Sequence, residues 1–498
     1  LKSPHQDITR WILSGTLIGI LLSLPVIMIL KEVKTQSLLT AKKTLTTGPE
    51  QKRTATRKKS RRVLAQKPAR AGLLTFRGNA TRSYYGDGPV PKAPKILWRY
   101  PERPMCANSS TGGKSYLWCG TGWTGQPAVF EVKDKTWLSF GAYDRKVHFV
   151  DATTGKPVLR PVETGDIIKG SVTIDPDGWP LAYIGSRDGY YRIIAFDGGR
   201  TRTLYKLSAH ATEGETMWND DWDGAGLIKD DRLYIGGENS RFHVLKLNRK
   251  RGSDGLVNVK PEIVFHAPSW DRNLLRAVGD RNMSIENSVS MSGHTVWFAN
   301  SGGLVQGWDV SRLKRGGAAR KIFSFWTGDD TDSSVVVDEN ENLYVASELE
   351  RYNRRSREVG QLMRLDPKRK DNPLVWSVRD RGGAGKSGFW ATPALYKNIV
   401  IAASHHGRLI GVDRESGRIH WEMKLKSKTW QSPVVIDDVL IQGDCSGVLN
   451  AWKFSRPERA PKKIWQLNLG SCIESTPAVW KGKIYVGTRG GFMYALGD

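Results

Sequence analysis

The chain has 498 residues, and its 76 Lys and Arg outnumber its 50 Asp and Glu, for a formal charge of +26 at neutral pH. That length suits two or three average domains or one large repeat ring, and 19 Trp with 52 Gly favour a repeated fold with many tight turns. None of the four Cys is spaced as Cys-x-x-Cys, which excludes the usual zinc, c-haem and redox motifs.

Residues 1–10 form a short polar tail. Residues 11–30 carry no charge and, at the helical rise per residue, span roughly 30 Å, about one bilayer core. They predict a transmembrane signal anchor. A cleaved signal peptide is the rival, opposed by the length of the apolar run and the lack of a small-x-small site. Lys2 and Arg10 precede the span, and Lys31, Lys34, Lys42 and Lys43 follow it. Counted alone, these charges place the rest of the chain in the cytoplasm, but large domains translocate despite such flanks.

Residues 31–72 read as a basic disordered linker, crowded with Lys and Arg and nearly free of aromatics. The sharper reading of residues 31–70 is contact with anionic lipid or another polyanion. Nucleic acid is disfavoured, because no stacking aromatics interleave the charges. Residues 73–94, rich in Gly and Pro, are an irregular lead-in expected along the flank of the fold that follows.

From residue 95 to 498 the chain repeats. Trp390-Ala-Thr-Pro393, Trp430-Gln-Ser-Pro433 and Ser475-Thr-Pro477 each lead into an apolar strand, a turn and an alternating strand. Equivalent starts fall at Pro127, Val172, Ala225, Val289, Val335, Pro393, Pro433 and Pro477. Repeats of this length with four short strands mark propeller blades. Eight starts predict an all-β, eight-bladed propeller; seven blades is the competing count. The last repeat lacks a fourth strand, and Lys95-Ile-Leu-Trp-Arg-Tyr-Pro101 resembles the outer strand Lys463-Ile-Trp-Gln-Leu467. It is predicted to close the ring.

The residue three before each start recurs around one mouth of a propeller. These are Thr124, Lys169, Trp222, Glu286, Asp332, Trp390, Trp430 and Glu474, a ring of acids, indoles and one Lys. Asp220, Asp221, Asp223, Asp329 and Asp330 lie beside them. Turns between second and third strands add Asp188, Glu238, Asn239, His405, His406 and Asp444. Such a rim reads as a polar ligand site with aromatic walls, and its carboxylates are candidate Ca²⁺ ligands. The alternative is that the acids pair with Lys and Arg and the Trp pack between blades. His405-His406 reads as an exposed turn. The charged insert Glu348–Glu358 reads as a solvated hairpin, with a partner-contact loop as the second choice.

Cys445 falls in a second-to-third turn and Cys472 leads into the next blade, so both reach one rim and a disulfide is expected. Cys106 and Cys119 share the loop after the closing strand and form the second expected pair. Four free thiols are the alternative. Two disulfides favour an oxidising, extracytoplasmic setting.

The repeat resembles the PQQ-binding-like β-propeller superfamily, which includes quinoprotein alcohol dehydrogenases and the outer-membrane assembly lipoprotein BamB. The carrying motif is Val412-Asp413-Arg-Glu-Ser-Gly417-Arg-Ile-His-Trp421. The resemblance implies that Asp413, Gly417 and Trp421 dock neighbouring blades. Asp151-Ala-Thr-Thr-Gly155 matches its first half, with Leu159 in place of the Trp. Quinoprotein dehydrogenases carry an adjacent Cys pair that this chain lacks. The expectation is therefore a single-pass membrane protein whose extracytoplasmic propeller scaffolds partners, such as envelope proteins. The alternatives are a PQQ- and Ca²⁺-dependent dehydrogenase, or a propeller binding a small ligand or polysaccharide.

Overall fold

The computed structural model describes residues 70–123, 125–382 and 385–498. The anchor over 11–30 and nearly all of the linker over 31–72 lie outside these residues. Among the described residues no helix is long and apolar enough to cross a membrane.

Eight sheets follow one another along the chain, each antiparallel in its main strands. The middle strands are apolar runs buried on both faces: all five residues of Leu181–Gly185 and of Ile399–Ala403 are inaccessible. The cause is sheet-on-sheet packing. Phe130, Val147 and Phe149 of blade 1 meet Ile174, Ala182 and Ile184 of blade 2 in one cluster, and comparable clusters join the other blades. Outer strands such as Lys462–Asn468 alternate instead, because one face meets water.

The ring closes as the sequence predicts. Strand Lys95–Tyr100 pairs antiparallel with Met493–Gly497, Lys95 opposite Gly497 and Tyr100 opposite Met493. It thereby becomes the outer strand of blade 8 and removes an open edge.

Small hydroxyl residues before the strand starts knit the hub. The backbone N–H of Ser288 donates to Ser334 Oγ at 3.0 Å, Ser334 N–H to Thr392 Oγ1 at 3.0 Å, and Thr392 N–H to Ser432 Oγ at 3.0 Å. Gln126 N–H donates likewise to Ser171 Oγ. Four junctions are thus pinned by a short side chain of the following blade.

Tryptophans pin the perimeter. Trp376 of blade 5 packs on Gly417 of blade 6, and its indole N–H donates to Arg414 O at 2.9 Å. Trp421 of blade 6 donates to Pro457 O in blade 7. Trp98 of blade 8 packs on Gly155 of blade 1 and donates to Ala152 O. Asp413 holds the receiving turn by accepting from Ser416 N–H at 2.8 Å, with Gly417 at φ 74°; Asp151 accepts from Thr154 N–H in the same way.

One expectation is overturned. Residues 73–87 do not lie along the flank; they fill the central channel, and only residues 88–94 run outward, where Pro91 O accepts from the Trp465 indole and Lys92 and Ala93 N–H donate to Asp498. Leu73 pairs with the inner strand of blade 1 and Asp87 with that of blade 8. Between them the lead-in's carbonyls accept N–H groups from inner strands: Leu74 O from Ile174, Ala80 O from Met291 and Thr81 O from Val337. The reason is that inner strands leave one ladder edge unpaired, and buried backbone groups need partners.

Candidate functional site

The plug has a definite direction. Arg70 donates to Glu131 O, near the end of the innermost strand of blade 1, and to Gly178 O in the first-to-second turn of blade 2, on the face opposite the mouth. The chain rises through the hub to Phe76 and returns, Lys481 N–H donating to Asp87 O on the starting face. Arg77 and Arg82 are fully buried near the tip. Arg82 donates to Val289 O and Phe76 O, and burial drops its guanidinium to about 9. Phe76 forms the floor of a shallow funnel at the mouth, walled by Trp123, Trp390, Trp430, Glu286 and Asp332.

One wall is aromatic. Trp390 lies 5.9 Å from Trp430, 6.5 Å from Trp123 and 4.9 Å from His405, ring centre to ring centre. Trp430 donates its indole N–H to His405 Nδ1 at 2.9 Å. Adjacent His405 and His406 are thus not a metal pair; His405 belongs to the indole wall. Lys428 stands 4.7 Å over Trp430 and Lys386 5.4 Å over Trp390, cation–π contacts that orient both indoles.

The opposite wall is acidic. The Lys169 ammonium lies 2.5 Å from Asp223 and 3.4 Å from Glu238, and carboxylate oxygens of Asp223, Glu238 and Glu286 lie within 4.8 Å of one another. Burial pushes the carboxyls of Glu238 and Glu286 above their ordinary range, against the pull of Lys169. Burial also acts to lower Lys169, but Asp223 and Glu238 outweigh it and hold the ammonium well above its ordinary value. Ser301 Oγ bridges onward to Glu286 and to Asp332, at 3.5 and 3.3 Å. Asp330, Asp332 and Glu348 make a second carboxylate cluster.

Six of the eight predicted rim residues stand around this mouth: Lys169, Glu286, Asp332, Trp390, Trp430 and Glu474, the last paired with Arg489 at 3.1 Å. Thr124 lies outside the described residues. Trp222 is displaced from the rim. It is fully buried and packs against Gly185 as Ile168 packs against Gly141 and Ile285 against Gly236. Blade 3 is therefore offset by one residue: its strand starts at Gly226, and Asp223 takes the rim position. The N–H of Ala225 donating to Ser288 Oγ, the bond that Ser288 makes to Ser334, fixes the same offset.

The other candidate metal ligands separate. Asp221 accepts from Arg187 at 2.5 Å, and burial raises its carboxyl to about 6. Asp329 accepts the N–H groups of Glu350, Arg351 and Tyr352 as a loop cap. Asp220 lies toward His210, 3.7 Å away. Only Asp223 and Asp330 sit in carboxylate clusters. The insert is not a solvated hairpin throughout: Glu348 is buried and Arg354–Val359 forms a helix capped by Asn353. Glu348 occupies the position after the second strand that Glu238 holds in blade 3, a correspondence visible once Ser347-Glu348 is set against Gly237-Glu238.

Both expected disulfides form, Cys106–Cys119 and Cys445–Cys472. The first staples a hairpin, Cys106–Thr111 with Lys114–Cys119, that stands on the mouth face and is gripped by Arg187 through Ser110 O. Leu117, on the hairpin's second strand near the disulfide, is 66% exposed, and Trp218 in the loop leading to blade 3 is 52% exposed.

No protein-family model and no curated protein sequence matches the chain. Solved structures do. BamB from Moraxella catarrhalis is 17% identical, with a TM-score of 0.53 over 82% of this chain and 98% of that one. A quinohemoprotein alcohol dehydrogenase from Comamonas testosteroni is 12% identical, with a TM-score of 0.57 over 86% and 80%. The yeast protein Sqt1 from Saccharomyces cerevisiae is 9% identical, with a TM-score of 0.52 over 72% and 92%. At these identities the likeness is one of fold: the chain is an eight-bladed propeller of the type seen in BamB and the quinohemoprotein dehydrogenases.

Proposed function

We propose that this chain is a membrane-anchored, extracytoplasmic propeller that holds partner proteins on its mouth face, in assembly of the cell envelope. One observation carries the reading. The described chain begins at Arg70 on the face opposite the mouth, while the stapled hairpin, the exposed Leu117 and Trp218 and the aromatic–acidic funnel share the mouth face. That face gathers the exposed and aromatic groups that a partner protein would contact. Two disulfides suit an oxidising compartment, and a sealed, shallow funnel suits side chains of a partner better than a large cofactor.

Pyrroloquinoline quinone fits poorly. It is a planar tricarboxylate, and the funnel presents Glu286 and Asp332, with Lys169 already paired to Asp223. Trp123, Trp390 and Trp430 occupy the space above Phe76 where a planar ring system would lie. The cysteines form two disulfides between residues distant in sequence rather than between neighbours.

The test is site-specific photo-crosslinking in intact cells. A crosslinker at Leu117 or Trp218 should capture one defined envelope protein, and Trp390→Ala should weaken that capture. A crosslinker at Lys133, in a turn on the opposite face, should not capture it. Equal capture from both faces, or recovery of the propeller on the cytoplasmic side of the membrane, would remove the proposal.

A further inference from the structure

Blades 3 and 5 share an arrangement that only blade 3 neutralises with a side chain. In each, the rim acid before the innermost strand faces an acid just past the second strand: Asp223 and Glu238 in blade 3, Asp332 and Glu348 in blade 5. In blade 3 Lys169 reaches both acids. In blade 5 a third acid, Asp330, joins them, with one oxygen of each residue within 4.8 Å of the others. Asp330, Asp332 and Glu348 are 8%, 9% and 2% exposed.

The blade 5 cluster is short of partners. Asp330 Oδ1 and Glu348 Oε1 are buried and accept no hydrogen bond among the described residues. Arg351 and Lys386 lend the cluster positive charge from nearby, but their ion pairs are with Asp280, Asp329 and Glu350, and among the described residues neither pairs with Asp330, Asp332 or Glu348. Glu286 and Glu350 add further negative charge from two sides. Three buried carboxyl groups in such a place must either hold protons or share a cation.

We propose that Asp330, Asp332 and Glu348 form a site for a divalent, oxygen-preferring cation, with Ca²⁺ the best match. All three donors are carboxylates, the ligands of hard cations, and no imidazole or thiolate belongs to the cluster. Oxygens up to 4.8 Å apart can both bind one Ca²⁺ at about 2.3–2.6 Å. The cation ties the loop leading into blade 5 to the head of the insert. That insert carries helix Arg354–Val359 and pairs Glu348–Leu349 with Ser387–Gly388, next to Trp390. The site therefore stiffens the blade 5 side of the mouth without forming part of its floor.

The experiment uses the full chain stripped with a chelator and titrated with Ca²⁺, by calorimetry and by thermal melting. One equivalent should bind, and Tm should climb with Ca²⁺ concentration. Glu348→Gln and Asp332→Asn should each weaken binding at least about tenfold. In chelator, Glu348→Gln should melt no lower than the unaltered protein, because removing one buried charge relieves repulsion; that separates a lost site from a lost fold. If a variant does not fold, the titration of the unaltered protein decides. Absence of heat and of any Tm change with Ca²⁺, Mg²⁺ or Mn²⁺ overturns the proposal, as does unaltered affinity in both variants.

Discussion

The guanidinium of Arg77 donates at 2.6 Å to the carbonyl oxygen of Pro433, a residue two blades before the end of the chain, and at 2.7 Å to that of Pro393. A segment that precedes the propeller in sequence thus ties its last blades together from inside. Arg77 has no acidic partner; burial lowers its pKa, and the face of Tyr85 lies 4.3 Å away. The backbone carbonyls supply the charge-assisted bonds that make its burial tolerable.

Arg77→Met should therefore cost about 2–4 kcal/mol, since two buried carbonyls lose charge-assisted donors. Arg77→Lys should recover less than half, because an ammonium lacks the planar fork that serves both carbonyls. Denaturant melts of the three proteins check this; a Lys variant equal to the unaltered chain would contradict it.

Perimeter docking makes a separate prediction about glycine. A Cβ on Gly417 would lie 2.6 Å from Trp376, and the residue holds φ 74°. Gly482 holds φ 80° but faces open space. Gly417→Ala should cost about 2–4 kcal/mol, strain and clash together, whereas Gly482→Ala should cost about 1 kcal/mol from backbone strain alone. Equal losses in thermal melts would show that Trp376 yields without cost.

These two cases differ in how far the sequence discloses them. Gly417 and its turn are legible, because Asp413-x-x-x-Gly417 repeats as Asp151-x-x-x-Gly155, and the closing strand is legible because Leu97-Trp98 repeats Ile464-Trp465 at the same bulge. The plug is not: residues 73–87 have no period, and their partners are backbone groups scattered from Val129 to Lys481, which leave no mark in composition. Blade 3 misleads for a local reason. Trp222 fills the place that Ile168 and Ile285 hold, and the repeat start falls one residue later than the small Ala225 suggests, at Gly226. In the mouth, the indoles and acids are readable as a ring, but whether each acid faces Lys169, a backbone N–H or another acid depends on side-chain direction.

Lys169 is the counter-charge for its wall, and its loss should show in the pH dependence. Lys169→Met leaves Asp223, Glu238 and Glu286 without the ammonium that lies 2.5 Å from Asp223, a loss of about 3–5 kcal/mol at pH 8. Burial already holds the Glu238 and Glu286 carboxyls above the ordinary 4.5, and without Lys169 they rise further. A carboxyl whose folded pKa is raised binds a proton that the unfolded chain has released. Its contribution is complete below the unfolded value and falls away as pH climbs through the folded one. The variant should thus melt higher at pH 5 than at pH 8, by a wider margin than the unaltered protein. A parallel pair of pH profiles would refute it.

The indole wall separates recognition from folding. Trp390 and Trp430 are half-buried, pack at tilted angles against each other and against His405, and belong to none of the hydrophobic clusters between blades among the described residues. Truncating either to Ala should cost about 1 kcal/mol of stability, far less than truncating the interblade Trp376, which should cost about 3–5 kcal/mol. If the mouth is where a partner docks, the order reverses for binding. Exposed aromatic pairs beside acidic walls act as interface anchors, so Trp390→Ala and Trp430→Ala should each weaken partner capture at least about tenfold. Glu458→Gln, on the outer turn of blade 7 where Glu458 meets Asn398, should leave it unchanged. Quantitative crosslinking yield against melting temperature for this set of variants decides the matter: losses of capture that track losses of Tm would mean that the indoles only hold the fold.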